Sequence, residues 1–215
     1  GVMGSRLVLT IDEAWTRTGL PNSGERRAGS LMAVNLNSLR PRTPTGPIHV
    51  STEADVIVSP TARQSIDEVR VFDDRVVATV YDNVVGHVVA FTANGSAPWI
   101  RTDLPAADNV SVHLGSSSRK TGRLFYNFEG FLTPSTLALV DLKASRADVV
   151  KTAPARFDAA THVVEQFEAT SADGTRVPYF VVRPRNAPMD GSTPTLMFGY
   201  GGFQIGFPPA YKQIG

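Results

Sequence analysis

Ile66-Asp67-Glu68-Val69-Arg70-Val71, Arg75-Val76-Val77-Ala78-Thr79-Val80 and His87-Val88-Val89-Ala90-Phe91 form three short apolar-rich runs, separated by Asp, Asn and Gly. A second set follows: Asn109-Val110-Ser111-Val112-His113-Leu114, Arg123-Leu124-Phe125-Tyr126-Asn127-Phe128 and Thr136-Leu137-Ala138-Leu139-Val140-Asp141. Each run of the second set lies 43 to 49 residues after its counterpart, counting 66 to 109 and 87 to 136. Runs of this length bounded by turn residues read as β-strands. A repeat of about 40–50 residues with three or four strands per unit is the period of a β-propeller blade. A β-sandwich with evenly spaced strands is the alternative that the pattern leaves open.

Working outward, Arg6–Thr10 and Leu31–Asn37 give an earlier, partial copy, with a polar insertion from Asp12 to Ser30 between its strands. With Asp55–Ser59, the strands expected in the first 160 residues are Ile66–Phe72, Arg75–Tyr81, Gly86–Thr92, Asn109–Leu114, Arg123–Phe128 and Thr136–Asp141. Residues 1–161 thus read as two whole blades and part of a third. From 162 onward the grammar changes. Val163–Thr170, the turn Ser171-Ala172-Asp173-Gly174 and Thr175–Arg183 spell a hairpin, in which Pro178 has to occupy a place that needs no ladder donor. A polar loop, Pro184–Thr193, leads to Pro194-Thr195-Leu196-Met197-Phe198-Gly199-Tyr200. An apolar run without alternation implies a strand buried on both faces, hence the start of a second, helix-covered α/β domain over residues 162–215.

Composition narrows the function. With 42% apolar and 19% charged residues, the 215-residue chain can bury a core. Twenty-one basic residues against twenty acidic leave a net charge of +1, scattered along the chain, which gives no footprint for nucleic acid or an anionic membrane. The absence of cysteine removes disulfides, thiolate metal sites and a cysteine nucleophile. No apolar run reaches the ~18 residues of a spanning helix, and the first thirty residues lack signal-peptide order, so the compartment stays open. Gly1 without an initiator Met, and the stop at Ile214-Gly215, read as cuts in a longer chain.

His49, His87, His113 and His162 share no metal-ligand spacing, so neither a metal nor a cofactor is expected. Asp73-Asp74 and Asp82-Asn83 read as hairpin turns, Arg26-Arg27 as solvated loop charge. Gly115-Ser116-Ser117-Ser118-Arg119 lacks the second glycine of a nucleophile elbow and reads as a polar turn. The dense motif is Phe198-Gly199-Tyr200-Gly201-Gly202-Phe203, where glycines admit close approach and the tyrosine offers one oriented donor. A plain glycine-rich turn flanked by core aromatics fits the same letters.

The order of hairpin, Pro-rich loop, Asp190-Gly191-Ser192-Thr193-Pro194, apolar run and Gly199-Tyr200-Gly201-Gly202-Phe203 resembles the prolyl oligopeptidase family of serine peptidases. Residues 122–135 resemble the last blade of that family's seven-bladed propeller. The resemblance implies a mostly β chain: the last blades of a partial β-propeller, then the first strands of an α/β-hydrolase domain, cut before the nucleophile. It implies Tyr200 as the oxyanion donor and Phe203 as an aromatic lining the proline pocket. The family usually carries tyrosine where this chain has Phe198, and often asparagine where it has Gln204. Gly201-Gly202-Phe203 favours proline specificity over the related basic-residue-specific oligopeptidases. The expected partners are short proline-containing peptides and the remainder of the same chain. Ser, Asp and His of the triad are absent, so residues 1–215 alone are expected to be inactive. A propeller binding module, or a peptidase homologue without a working triad, are the alternatives.

Overall fold

The computed structural model describes residues 1–14, 26–38, 54–95, 97–202 and 206–212. Three antiparallel four-stranded sheets follow one another along the chain. The first contains β1 (Val2–Met3), β2 (Arg6–Thr10), β3 (Leu31–Asn35) and β4 (Ala54–Val58). The second contains β5 (Gln64–Val71), β6 (Arg75–Asp82), β7 (Val85–Asn94) and β8 (Ala97–Asp103). The third contains β9 (Val110–Ser118), β10 (Arg123–Gly130), β11 (Thr136–Asp141) and β12 (Arg146–Thr152). Each sheet keeps its strands in chain order, the up-and-down meander of a propeller blade.

The core lies between sheets. Val76, Ala78, Val80, Val89 and Phe91 of the second sheet pack on Met3, Val8, Leu31, Ala33 and Ile57 of the first. Its opposite face, with Val77, Val88 and Ala90, packs on Val110, Val112, Leu124, Tyr126 and Phe128 of the third. The second sheet is therefore covered on both sides, which is why Val76–Val80 of β6 is a run without polar alternation except for Thr79. Thr79 is buried but satisfied, because its hydroxyl accepts the Glu68 N–H at 2.8 Å, beside the register shift between Ile66 and Val69. Polar contacts also join the second and third sheets. The Tyr81 hydroxyl donates to the Val112 carbonyl and accepts from the Val112 N–H, while Arg70 and Arg75 donate to the carbonyls of Leu114 and Leu142. The Tyr126 hydroxyl, in a residue 1% exposed, donates at 2.6 Å to the carbonyl of Pro105 in the connection between those sheets.

Several expectations change. The earliest copy is a complete four-stranded sheet, since β1 and β4 flank the two strands expected there. Strands β8 and β12, the last strands of the second and third sheets, carry little apolar alternation and escaped the sequence reading. Residues 115–118 extend β9 as strand instead of forming a turn, because Ser117 and Ser118 find ladder partners in Leu124 and Arg123. Arg26 is half-buried and donates to the Ala54 carbonyl at 3.3 Å, so it is not a solvated loop charge. Most of the polar insertion, and His49, lie outside the described residues.

β13 (His162–Thr170) and β14 (Arg176–Pro184) form a separate two-stranded sheet. Gly174 closes the turn with φ +85°, a left-handed conformation, while the Asp173 carboxylate accepts the Thr175 N–H at 3.0 Å. That bond holds the Asp173 carboxyl below the ordinary aspartate range. Ser171 and Thr175 form a hydrogen-bonded pair, and alternation along the ladder leaves Glu168 and Pro178 at a non-hydrogen-bonded pair. Pro178 thus costs the hairpin no bond.

Pro194–Tyr200 is not a strand. Leu196 and Met197 are 90% and 93% exposed, and no described strand lies alongside to complete a ladder. Apolar composition alone does not make a strand where a pairing edge is missing.

Candidate active-site loop

The hairpin carries the chain from the sheets to the glycine loop, and side chains from both of its strands hold it. Glu168 of β13 bridges Arg63, just before β5, and Arg176 of β14, the latter at 2.7 Å. The Gln166 side chain donates to the Asn83 carbonyl in the β6–β7 turn, and Asn109 reaches the Val164 carbonyl at 3.5 Å. Phe180 packs on Phe131, beyond the end of β10, with ring centroids 5.2 Å apart. The hairpin therefore docks on the turn ends of the second and third sheets instead of extending either one.

Beyond it, Asp190 folds the loop on itself, accepting from both the N–H and the hydroxyl of Ser192 at 3.0 and 2.6 Å. The hydroxyl bond is the main reason its carboxyl stays below the usual range. Tyr200 follows, 51% exposed, its ring edge-on to Phe207 at 6.0 Å. Phe198 meets the same ring at 5.4 Å. A Cβ at Gly202 would lie only 2.7 Å from the Tyr200 hydroxyl oxygen, so the phenol lies over a backbone that only glycine leaves open. Tyr200 makes no hydrogen bond with a described residue, which leaves its hydroxyl able to donate to a ligand.

The other residues singled out by sequence are scattered. Phe203 lies outside the described residues. His162 sits at the base of the hairpin, where its Nδ1 is 3.0 Å from the Thr161 hydroxyl, and His113 pairs with Glu68 on an exposed surface at 3.2 Å. Asp73 and Asp74 occupy the β5–β6 turn and face Arg119 and Arg75, a pairing that lowers the Asp74 carboxyl. Among the described residues no three His, Cys, Asp or Glu side chains come together as a metal site. Phe207 and Tyr211 were missed. Their signal was present in Gly206-Phe207-Pro208-Pro209-Ala210-Tyr211, two aromatics spaced by prolines directly after the glycine loop.

The sheets agree with comparison to known proteins. The sequence profile of the prolyl oligopeptidase N-terminal beta-propeller domain matches residues 28–153. The chain belongs to the prolyl oligopeptidase family. A solved structure of a post-proline cleaving enzyme from Rickettsia typhi superposes with a TM-score of 0.74 at 29% identity, over 99% of this chain and 29% of that one. An uncharacterized peptidase of Sinorhizobium fredii is 37% identical over 159 residues, 74% of this chain and 22% of its own length. The prolyl endopeptidase of Elizabethkingia meningoseptica is 29% identical over 138 residues, covering 64% and 19%. The chain thus spans about a quarter of the length of these relatives. Oligopeptidase B from Trypanosoma brucei shares the fold, with a TM-score of 0.62 at 20% identity over 86% of this chain and 27% of that one. The three sheets are blades of this family's propeller. No helix among the described residues is long and apolar enough to cross a membrane.

Proposed function

We propose that residues 1–215 belong to a longer serine peptidase that cleaves short peptides after proline through an acyl-enzyme. Residues 1–161 supply blades of a propeller that restricts access by size, and residues 162–215 begin the α/β-hydrolase domain. Tyr200 donates to the oxygen that becomes negative as the tetrahedral intermediate forms, a role suited to a preoriented neutral donor. Phe203 packs on the prolyl ring. The serine nucleophile, its histidine base and the orienting aspartate come from sequence beyond residue 215, in the chain order of that fold.

The observation that carries this reading is Tyr200, half-exposed and without a hydrogen bond to a described residue, on a glycine-flanked loop beyond a hairpin docked on the propeller. The Rickettsia typhi relative is described as post-proline cleaving, which supports the specificity. The test is hydrolysis by the full-length protein of matched peptides carrying proline or arginine before the scissile bond. Cleavage after proline that a serine-directed phosphonate abolishes is the expected result. Cleavage after arginine alone, or none by a folded protein, would overturn the reading. Residues 1–215 expressed alone are expected to be inactive, for want of nucleophile and base.

A further inference from the structure

Among the described residues, few side chains hold the loop that carries Tyr200. A Cβ at Gly199 or Gly201 would meet no heavy atom within 4 Å, and backbone flanked by such glycines has more conformations to lose than any other. Among the described residues, the aromatic contact to Tyr200 is the edge-on ring of Phe207. Four residues beyond Phe207 the chain contacts the propeller–hairpin connection. Tyr211 stacks on Phe157 with centroids 5.1 Å apart and planes inclined by 22°, and its hydroxyl oxygen accepts the Arg156 N–H at 2.9 Å. Arg156 and Phe157 lie in the connection between β12 and β13, where the propeller hands over to the hairpin. Pro209, between the two aromatics, is buried.

We propose that Tyr211 is a positioning residue, mooring the segment that carries Phe207 to the propeller–hairpin connection and thereby orienting the Tyr200 phenol. This rests on the reading of Tyr200 as oxyanion donor. A donor that must point at a developing charge loses effect when it samples other directions, while ground-state binding of the peptide is little changed. Loss of the mooring therefore lowers kcat and spares KM. The stack does the orienting, so Tyr211→Phe retains function and Tyr211→Ala does not.

The test uses the full-length protein, with Tyr211→Ala and Tyr211→Phe made alone and in a Tyr200→Phe background. Tyr211→Ala is expected to lower kcat by about tenfold, with KM within twofold, and Tyr211→Phe to stay within twofold. In the Tyr200→Phe background the Tyr211→Ala loss should shrink to less than about twofold, because the group it orients is gone. An unchanged kcat for Tyr211→Ala, or a loss that multiplies undiminished in that background, would overturn the proposal. Phe207→Leu leaves the anchor intact and should reproduce the kcat loss if Tyr211→Ala does not fold. Independently of activity, hydrogen exchange at Arg156 should quicken in both Tyr211 variants, and unchanged exchange would overturn the mooring. If Tyr200→Phe is itself neutral, the oxyanion reading fails and takes the kinetic half of the proposal with it, while exchange still decides whether Tyr211 is an anchor.

Discussion

Tyr126→Phe should reverse its effect on stability with pH. Tyr126 is 1% exposed and its hydroxyl donates to the Pro105 carbonyl at 2.6 Å, tying the connection between the second and third blades to β10. Near neutrality, removing that bond should cost about 1 kcal/mol, the net worth of a neutral hydrogen bond. Burial also pushes the Tyr126 hydroxyl up to about 12, from an ordinary value of 10.0. Its folded pKa is raised, so the unfolded chain loses this proton first. The tyrosine's contribution is complete below pH 10 and drains away as pH rises through 12. Two pH units correspond to roughly 2–3 kcal/mol. Phenylalanine does not titrate, so the variant should be less stable at pH 7, equal near about pH 11 and more stable above it. Urea unfolding of both proteins from pH 7 to 12 measures this, and taking the difference cancels every other titrating group. Parallel curves would refute the idea that Tyr126 is kept neutral by burial.

Two further substitutions probe the loop and its support. Gly202→Ala would place a methyl 2.7 Å from the Tyr200 hydroxyl, and the phenol, being the far end of a flexible side chain, should yield before the backbone does. We expect kcat to fall by about tenfold or more with the melting temperature unchanged, and an unaltered kcat would mean that this position of the phenol is not the working one. Phe180→Ala removes the ring that meets Phe131 at 5.2 Å and should weaken hairpin docking by about 1–2 kcal/mol. Hydrogen exchange should then quicken over residues 162–184 but not in β6 or β10, whereas uniform quickening would show that the hairpin is part of the blade core.

What was legible in the sequence tracks how fully each strand is buried. β2 and β11 match their expected limits residue for residue, and Val8, Ala138 and Val140 on them are buried against a neighbouring sheet. β12 escaped notice because Arg146, Asp148 and Lys151 are exposed and even Val149 and Val150 face solvent. A last strand needs only one ladder partner and little apolar area, so hydrophobic period says nothing about it. Pro194–Tyr200 is the opposite case: its apolar letters suggest a strand buried on both faces, and no described strand provides it an edge. Tyr200 was singled out by its glycines and by resemblance. Phe207 and Tyr211 were not: Phe207 acts through the neighbouring Phe198 and Tyr200, and no local pattern encodes the pairing of Tyr211 with the distant Phe157.

The central claim, that Tyr200 donates to a developing oxyanion, is tested most directly by Tyr200→Phe in the full-length protein, with a Z-Gly-Pro substrate. The change deletes one hydroxyl and leaves the ring against Phe207. Because charge on the substrate oxygen develops in the transition state, kcat should drop by ~10²–10³-fold, roughly 3–4 kcal/mol, with KM and melting temperature nearly unchanged. A kcat within about twofold of wild type, or a loss confined to KM, would contradict the account and leave Tyr200 as a packing residue.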